Sequence, residues 1–390
     1  MGIVGIVVVV ALLYFFSFDR QNIDYKSILY LFGTEIIILF FMLRTAVGDW
    51  LLKGLSGSLN IITVSSKKGV NFVFGDLKNP QATSQFFLDV LLPLIFICAL
   101  IELLQYFKIL PFIIKYVGKV LKKLFHIDEI NAFTILSYPF VSNGVFVPFK
   151  EQMQSMSDNQ LFTLSIYTMS NTTVTMIASY MHIIKSEFII IALILNLFTS
   201  IIVAKIIAPY DISTVEYEIS TTSTNKKSLI TRLIDSMNLG FRLAINISIS
   251  IIGFVSLITF INIIFKAVCG HSLTAILGYI CAPVAFLMGI DPHSVINAGT
   301  VLATKAFTNI FVAINEINLH TVPLKTQAIV SVFLISFANL PNLGTTLGIM
   351  HTMTNEERGE VIAKHALKLF LVATSVSIIN GALAGIFYSF

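Results

Sequence analysis

The chain is built around uncharged apolar runs, each long enough to cross a lipid bilayer. A spanning α-helix needs about 20 apolar residues, because each adds 1.5 Å of rise across a hydrocarbon core of about 30 Å. Such runs lie at 2–17, 28–46, 88–106, 160–181, 188–208, 240–265, 326–349 and 366–388. Backbone polar groups in lipid must be satisfied within the protein, so runs of this kind fold as helices. The expectation is an all-α polytopic membrane protein with about eight transmembrane helices. Charge agrees: only 12% of residues are charged, about half the roughly 25% of soluble domains. That excludes an ordinary soluble enzyme and a disordered chain. A net charge of +4, spread along the chain, offers no nucleic-acid surface. The first run lacks a preceding basic residue and a clear small-residue cleavage site, so it reads as a retained span rather than a signal peptide.

Other segments do not read as simple spans. In 107–125, Lys115, Lys119 and Lys122 recur at i, i+4 and i+7, with Ile, Val and Leu opposite. This predicts an amphipathic helix lying on the bilayer surface. Segments 128–158 and 291–320 are apolar but broken by Gly, Asn, Pro and Lys. Each reads as a re-entrant hairpin, two half-length helices with a polar tip, which survives at membrane depth only when buried in protein or lining a cavity. Asp128 and Asp291 are read as N-caps opening the hairpins, with Pro292 at the first helical position.

The order span, surface helix, hairpin, interrupted span, span occurs at 88–208 and again at 240–388. The predicted organisation is therefore 1–87, N-terminal spans and an interfacial segment serving as scaffold, then 88–208, the first repeat. Within it lie hairpin 128–158 and interrupted span 160–181. A polar linker covers 209–239, and the second repeat covers 240–390, with hairpin 291–320 and interrupted span 326–349. With the N-terminus outside, lysine and arginine concentrate on the inner side, as the positive-inside rule requires. The hairpins then enter from opposite sides, which makes the repeats inverted, an architecture common among secondary transporters.

The interrupted spans carry the most chemistry. The first has Thr168-Met169-Ser170-Asn171-Thr172-Thr173 in its middle; the second has Ser336-Phe337-Ala338-Asn339-Leu340-Pro341-Asn342. A helix broken at mid-membrane frees carbonyls and amides that can hold a polar solute or an ion. The bland alternative is a kinked helix whose Ser and Asn bond back to their own backbone. The first hairpin tip offers Ser142, Asn143 and Gly144; the second falls near Lys305 and Asn309. Lys305 at membrane depth is either functional or a group that fixes the hairpin by bonding carbonyls. Glu35, Asp89, Glu102 and Glu316 are read as structural groups at helix ends rather than proton relays. No Walker A sequence, catalytic dyad or metal-ligand spacing occurs, so the chain is read as no enzyme and as having no resident cofactor.

Against this background, Gly299-Thr300, Lys305 and Asn309-Ile310-Phe311-Val312-Ala313 resemble the signature of the concentrative nucleoside transporter family. Ala282-Pro283-Val284-Ala285-Phe286-Leu287-Met288-Gly289, Ser336-Phe337-Ala338-Asn339 and Ala178-Ser179-Tyr180-Met181 are similar to it as well, as are Leu195-Asn196 and Pro209-Tyr210. The resemblance implies a multi-pass homotrimer in the cytoplasmic (inner) membrane that imports nucleosides by alternating access. Uptake would be coupled to a sodium ion or a proton. It places Ser142, Asn143, Gly144, Met176, Asn309, Ile310, Phe337, Asn339 and Asn342 at the substrate, and Ser137, Ser170 and Asn171 at the cation.

Two departures stand out. The family's first tip carries Gln and Glu where this chain has Val141-Ser142-Asn143-Gly144, and its second tip carries Glu where this chain has Ile310. Both carboxylates that the family uses toward the solute are missing. A different small polar metabolite on the same fold, or a non-transporting membrane sensor or scaffold, therefore stay open beside nucleoside import.

Overall fold

The structure, a computed structural model, describes residues 1–75, 85–181, 183–211, 228–319, 321–354 and 356–388. The first three helices are α1 (Gly2–Phe15), α2 (Tyr25–Arg44) and α3 (Ala46–Phe74). Asp24 caps α2 by accepting from Ser27 N, and Thr45 caps α3 by accepting from Gly48 N, each satisfying an amide with no intrahelical partner. A π-turn at Phe87–Leu91 leads into α4 (Leu94–Tyr106). The amphipathic α5 (Ile109–Phe125) follows, where the lysine spacing predicts it.

The first hairpin segment consists of α6 (Glu129–Val141), a 3-10 stretch at Ser142–Phe149 and the short α7 (Lys150–Met153). Asp128 caps α6 as expected, accepting from Asn131 N at 2.9 Å. The chain then folds back, bringing the Phe133 and Phe149 rings to 6.2 Å. Next come α8 (Asp158–Ser170), opened by a Ser157–Gln160 capping box, then α9 (Val174–Tyr180) and α10 (Ser186–Ile207).

A similar order recurs in the second half. It runs α11 (Leu229–Cys269), α12 (Leu273–Leu287), α13 (Val295–Phe307), α14 (Ile310–Ala313), α15 (Leu324–Leu334), α16 (Leu340–Met353), α17 (Glu356–Lys364) and α18 (Ala366–Phe387). Six of the described helices are long and apolar enough to span a bilayer: Tyr25–Arg44, Phe87–Tyr106, Glu129–Met153, Ser186–Ile207, Leu229–Cys269 and Ala366–Phe387. The expected spans at 160–181 and 326–349 are not continuous helices, because each breaks near its middle.

Three local readings change. The polar stretch at 212–227 lies outside the described residues, but 229–239, read as linker, is the start of α11. Ser228 caps that helix, and Arg232 on its first turn pairs with Glu102 of α4, so polar composition here marks a helix end rather than a loop. Asp291 does not cap α13. Its carboxylate takes His293 N at 3.2 Å in a local turn, and the helix starts at Val295. Segment 46–74 forms one long helix despite its scattered lysines and glycines.

Helices α8, α10, α15 and α18 form the centre, with α10 and α18 apolar nearly all round. The α12–α13 pair approaches closely through Gly278 and Gly299. A Cβ on Gly299 would stand 2.3 Å from the Gly278 carbonyl oxygen, so only glycine permits this packing. By contrast, the apolar window of α11 has no residue buried within the single chain.

Candidate functional site

The site is framed by two helix breaks. At the first, α8 stops at Ser170, residues 171–173 are extended, and α9 begins at Val174. The C-cap Asn171 closes α8: its amide and its Nδ2 both donate to the Tyr167 carbonyl, at 3.2 and 3.0 Å. Carbonyls one to three residues further on have no i+4 amide, since the chain has left the helix. Ser170 lies at this end, fully buried, and its hydroxyl finds no hydrogen-bond partner among the described residues; the same holds for Ser137 of α6, a helix that packs on α8. An unpaired buried polar group costs about 1–3 kcal/mol, so each calls for explanation. Neutral hydroxyl oxygens beside a helix C-terminus, where the backbone dipole is negative, form a ligand set suited to a small hard cation. Ser170 and Asn171 stand at this break, and Ser137 is on a helix packed against α8.

The second break runs from Ile335 to Asn339, between α15 and α16. Asn339 caps α16, its Oδ1 accepting from Asn342 N at 2.9 Å, while Pro341 sits in the first turn, where its missing N–H is no loss. Here the Phe333 and Ile335 carbonyls are engaged by side chains. Lys305 reaches from α13 and donates to the Phe333 carbonyl, to Ser336 Oγ at 2.7 Å and to Ser377 Oγ at 3.4 Å. Its ammonium also lies 4.2 Å from the centre of the Phe333 ring. Asn196 of α10 donates to the Ile335 carbonyl and is itself held by Asn380 of α18 at 2.7 Å. Lys305 is 1% exposed. Of the two readings that the sequence allows, it takes the hairpin-fixing one.

The breaks face each other. Asn342 Nδ2 reaches the Thr168 carbonyl at 3.4 Å, and the Thr168 and Thr346 hydroxyls stand 3.4 Å apart. The 3-10 stretch of the first hairpin also packs on α16. Its tip has an unusual backbone: Ser142 adopts φ 53°, ψ −138°, a conformation otherwise nearly confined to glycine. Ser142 and Asn143 are half-buried and Gly144 is exposed. At the second tip, Asn309 caps α14 by accepting from Val312 N at 3.2 Å. Asn309 and Asn339 thus both use their carboxamide oxygen as a cap. Met176, Phe337 and Asn342 are half-buried, with surface available to a solute. Ile310 is different: it is 3% exposed and part of the hydrophobic core. A core side chain stands where the resemblance leads one to expect a carboxylate.

Sequence reasoning singled out neither Thr346 nor two residues of α18, Ser377, which accepts from Lys305, and Asn380, which donates to Asn196. The available signal was the spacing of two polar residues three apart, on one face of an apolar helix. Asp89 and Glu102 are engaged as structural groups, whereas Glu35 lies in the middle of α2 rather than at a helix end and keeps one buried oxygen without a partner among the described residues. Glu35 takes a hydrogen bond from Thr199 at 2.6 Å, Asp89 accepts from Gln85 N, and Glu102 pairs with Arg232. Tyr210, beyond the end of α10, donates to Asp128; burial, reinforced by that carboxylate, holds its phenol well above its ordinary pKa. A cavity of about 40 Å³ between α11, α12 and α13, lined by Ile258, Asn262 and Phe307, is too small for a nucleoside and contains none of the candidate residues.

Comparison with known proteins agrees with this architecture. Residues 188–385 match the family model described as Na+ dependent nucleoside transporter C-terminus, and residues 4–77 match its N-terminal counterpart. Residues 87–187 match the model described as nucleoside recognition. The chain belongs to the Na+ dependent nucleoside transporter family. Among its relatives is the purine nucleoside transport protein NupG of Bacillus subtilis, 29% identical over 99% of this chain and 98% of that protein. The nucleoside permease NupC of Helicobacter pylori is 26% identical over 99% and 97%. The fold matches that of CNTnw in an inward-facing substrate-bound state, with a TM-score of 0.91, 23% identity and coverage of 100% and 97%. It matches a variant of CNTnw in an outward-facing state equally well, with a TM-score of 0.91 and 22% identity.

Proposed function

We propose that this protein imports nucleosides across the cytoplasmic membrane by alternating access, coupled to sodium. The observation that carries the reading is the first break, where the buried hydroxyl of Ser170, without a partner among the described residues, stands at the C-terminal end of α8, with Ser137 equally unpartnered on the adjoining α6. Sodium is favoured over a proton because these ligands are neutral oxygens that do not titrate. The nucleoside sits between the tips, with Ser142, Asn143, Gly144 and Met176 on one side and Asn309, Phe337, Asn339 and Asn342 on the other. Asn309 and Asn339 present their carboxamide N–H groups to it. The family's own description and the names of its relatives support a nucleoside as the solute class.

In the membrane the N-terminus lies outside and the second repeat is inverted relative to the first. The protein assembles as a homotrimer, an arrangement that suits the unburied apolar face of α11. A second reading, transport of a different small polar metabolite, is favoured by one observation: Gly144 and Ile310 replace both family carboxylates.

The test is thermal unfolding of the purified protein with uridine, cytidine, adenosine and inosine, with and without sodium. A nucleoside at a hundredfold its Kd adds about 2.7 kcal/mol, so a sodium-dependent rise in Tm is expected with at least one of them. Well-folded protein that responds to no nucleoside would overturn the first reading and favour the second.

A further inference from the structure

The helix α5 divides its surface three ways. Leu110, Leu121 and Phe125 are buried, and Gly118 lies over Leu136 of α6, so this face is docked on the protein. A second face is apolar yet exposed: Phe112 is 62% exposed, Tyr116 52%, Val120 53% and Leu124 54%. Lys115, Lys119, Lys122 and Lys123 make the third. At 3.6 residues per turn the three sets are centred about 120° apart. One side therefore faces protein, the next hydrocarbon, and the lysines face the level between hydrocarbon and water.

Arg232, Arg358, Lys53 and Lys205 each lie against a carboxylate. Of the α5 lysines only Lys122 does so, with Glu129 at 3.4 Å between exposed side chains. Lys115, Lys119 and Lys123 have no carboxylate partner among the described residues. The Lys119 ammonium instead lies 6.0 Å from the Tyr116 ring, whose neighbour Phe112 is 4.4 Å away.

We propose that α5 is a binding site for anionic phospholipid, with acyl chains against Phe112, Tyr116 and Val120 and the phosphate headgroup held by Lys115, Lys119 and Lys123. Unpaired cations bordering an exposed apolar stripe match an amphiphile with negative charge at the boundary of its apolar part. The site also reaches the transport machinery. The end of α5 is tied down where Ser27 of α2 donates to the Phe125 carbonyl at 2.6 Å, three residues before Asp128 opens the first hairpin. Bound lipid thereby anchors the base of that hairpin to the leaflet.

The experiment measures Tm of the detergent-purified full chain with added phosphatidylglycerol or phosphatidylcholine, at low and high salt. A companion measurement titrates phosphatidylglycerol to obtain its apparent affinity. Wild type is expected to be stabilised by phosphatidylglycerol only, and less at high salt. Each basic residue near an anionic surface contributes about fivefold, so K115Q/K119Q/K123Q is expected to lose about a hundredfold in apparent affinity. The lysine-to-arginine triple variant is expected to keep the response. Equal stabilisation by the two lipids, or an undiminished phosphatidylglycerol response in a folded glutamine triple variant, would overturn the proposal. Should the glutamine variant not fold, the two-lipid comparison on wild type and the arginine variant decides. These readouts need no solute, so they stand or fall separately from the transport reading.

Discussion

Where α15 ends, at Leu334, a lysine ammonium and a carboxamide from other helices take the freed carbonyls, and two serines complete the network. Where α8 ends, at Ser170, Asn171 folds back onto its own helix and Asn342 reaches the Thr168 carbonyl, while the Ser170 hydroxyl, and that of Ser137 on the adjoining α6, have no partner among the described residues. Both breaks lie at corresponding places in the two halves and are buried. They differ in who supplies the positive charge. The second break carries its cation covalently, on Lys305; the first offers oxygens and no cationic side chain. A buried tethered ammonium cannot be exchanged, so it fixes geometry. An oxygen-lined break can bind and release an ion, so it can couple.

The sharpest way to break this comparison is Lys305→Met. The methionine fills space but leaves the Phe333 carbonyl and the serine pair without their donor. Hydrogen bonds to charged groups contribute about 1.5–3 kcal/mol each, so a loss of about 3 kcal/mol or more is expected, read as a large drop in Tm or a failure to accumulate folded protein. Wild-type melting would show that the ammonium does not hold the second break together.

The middle effect belongs to the first break. Ser170→Ala combined with Asn171→Ala is expected to lower sodium-free stability by about 1–2 kcal/mol, mainly through the lost cap. It should also abolish the gain of about 2.7 kcal/mol that sodium at a hundredfold its Kd confers on wild type. Unchanged sodium dependence in the double variant would place the ion elsewhere. The smallest effect refines the second break. Ser377→Ala removes only the longest of the three bonds to Lys305, together with a neutral bond to Ser336. A loss of about 0.5–1.5 kcal/mol is expected in the same unfolding assay, with sodium response intact. A loss as large as that of Lys305→Met would mean that the serine pair, not the ammonium, organises this break.

The sequence shows both breaks because each leaves a local mark. A run of Ser, Asn and Thr interrupts the first apolar span, and Asn339-Leu340-Pro341 interrupts the second. The face of α5 is equally legible, since its lysines repeat at helical spacing. What holds the second break together is not legible. Lys305 meets Phe333, Ser336 and Ser377 across 28, 31 and 72 residues of chain. Asn380 and Asn196 are 184 apart, and each looks like an isolated polar residue within an apolar span. The start of α11 and the capping of α13 escape the sequence for a related reason. Polar residues such as Arg232 and Asp291 suit a loop and a helix end alike, and their neighbours in space decide between them.

By itself, the sequence determined the solvent of this protein, its all-helical class, its repeated order of elements and the positions where helices must fail. These follow from hydropathy and backbone chemistry acting over a few residues at a time. Only the tertiary structure decided that Lys305 is a strut, that Ile310 belongs to the core, and that the first break is left short of partners. Hydrogen-bond satisfaction at membrane depth depends on which distant side chain arrives, and that is set by how the helices pack.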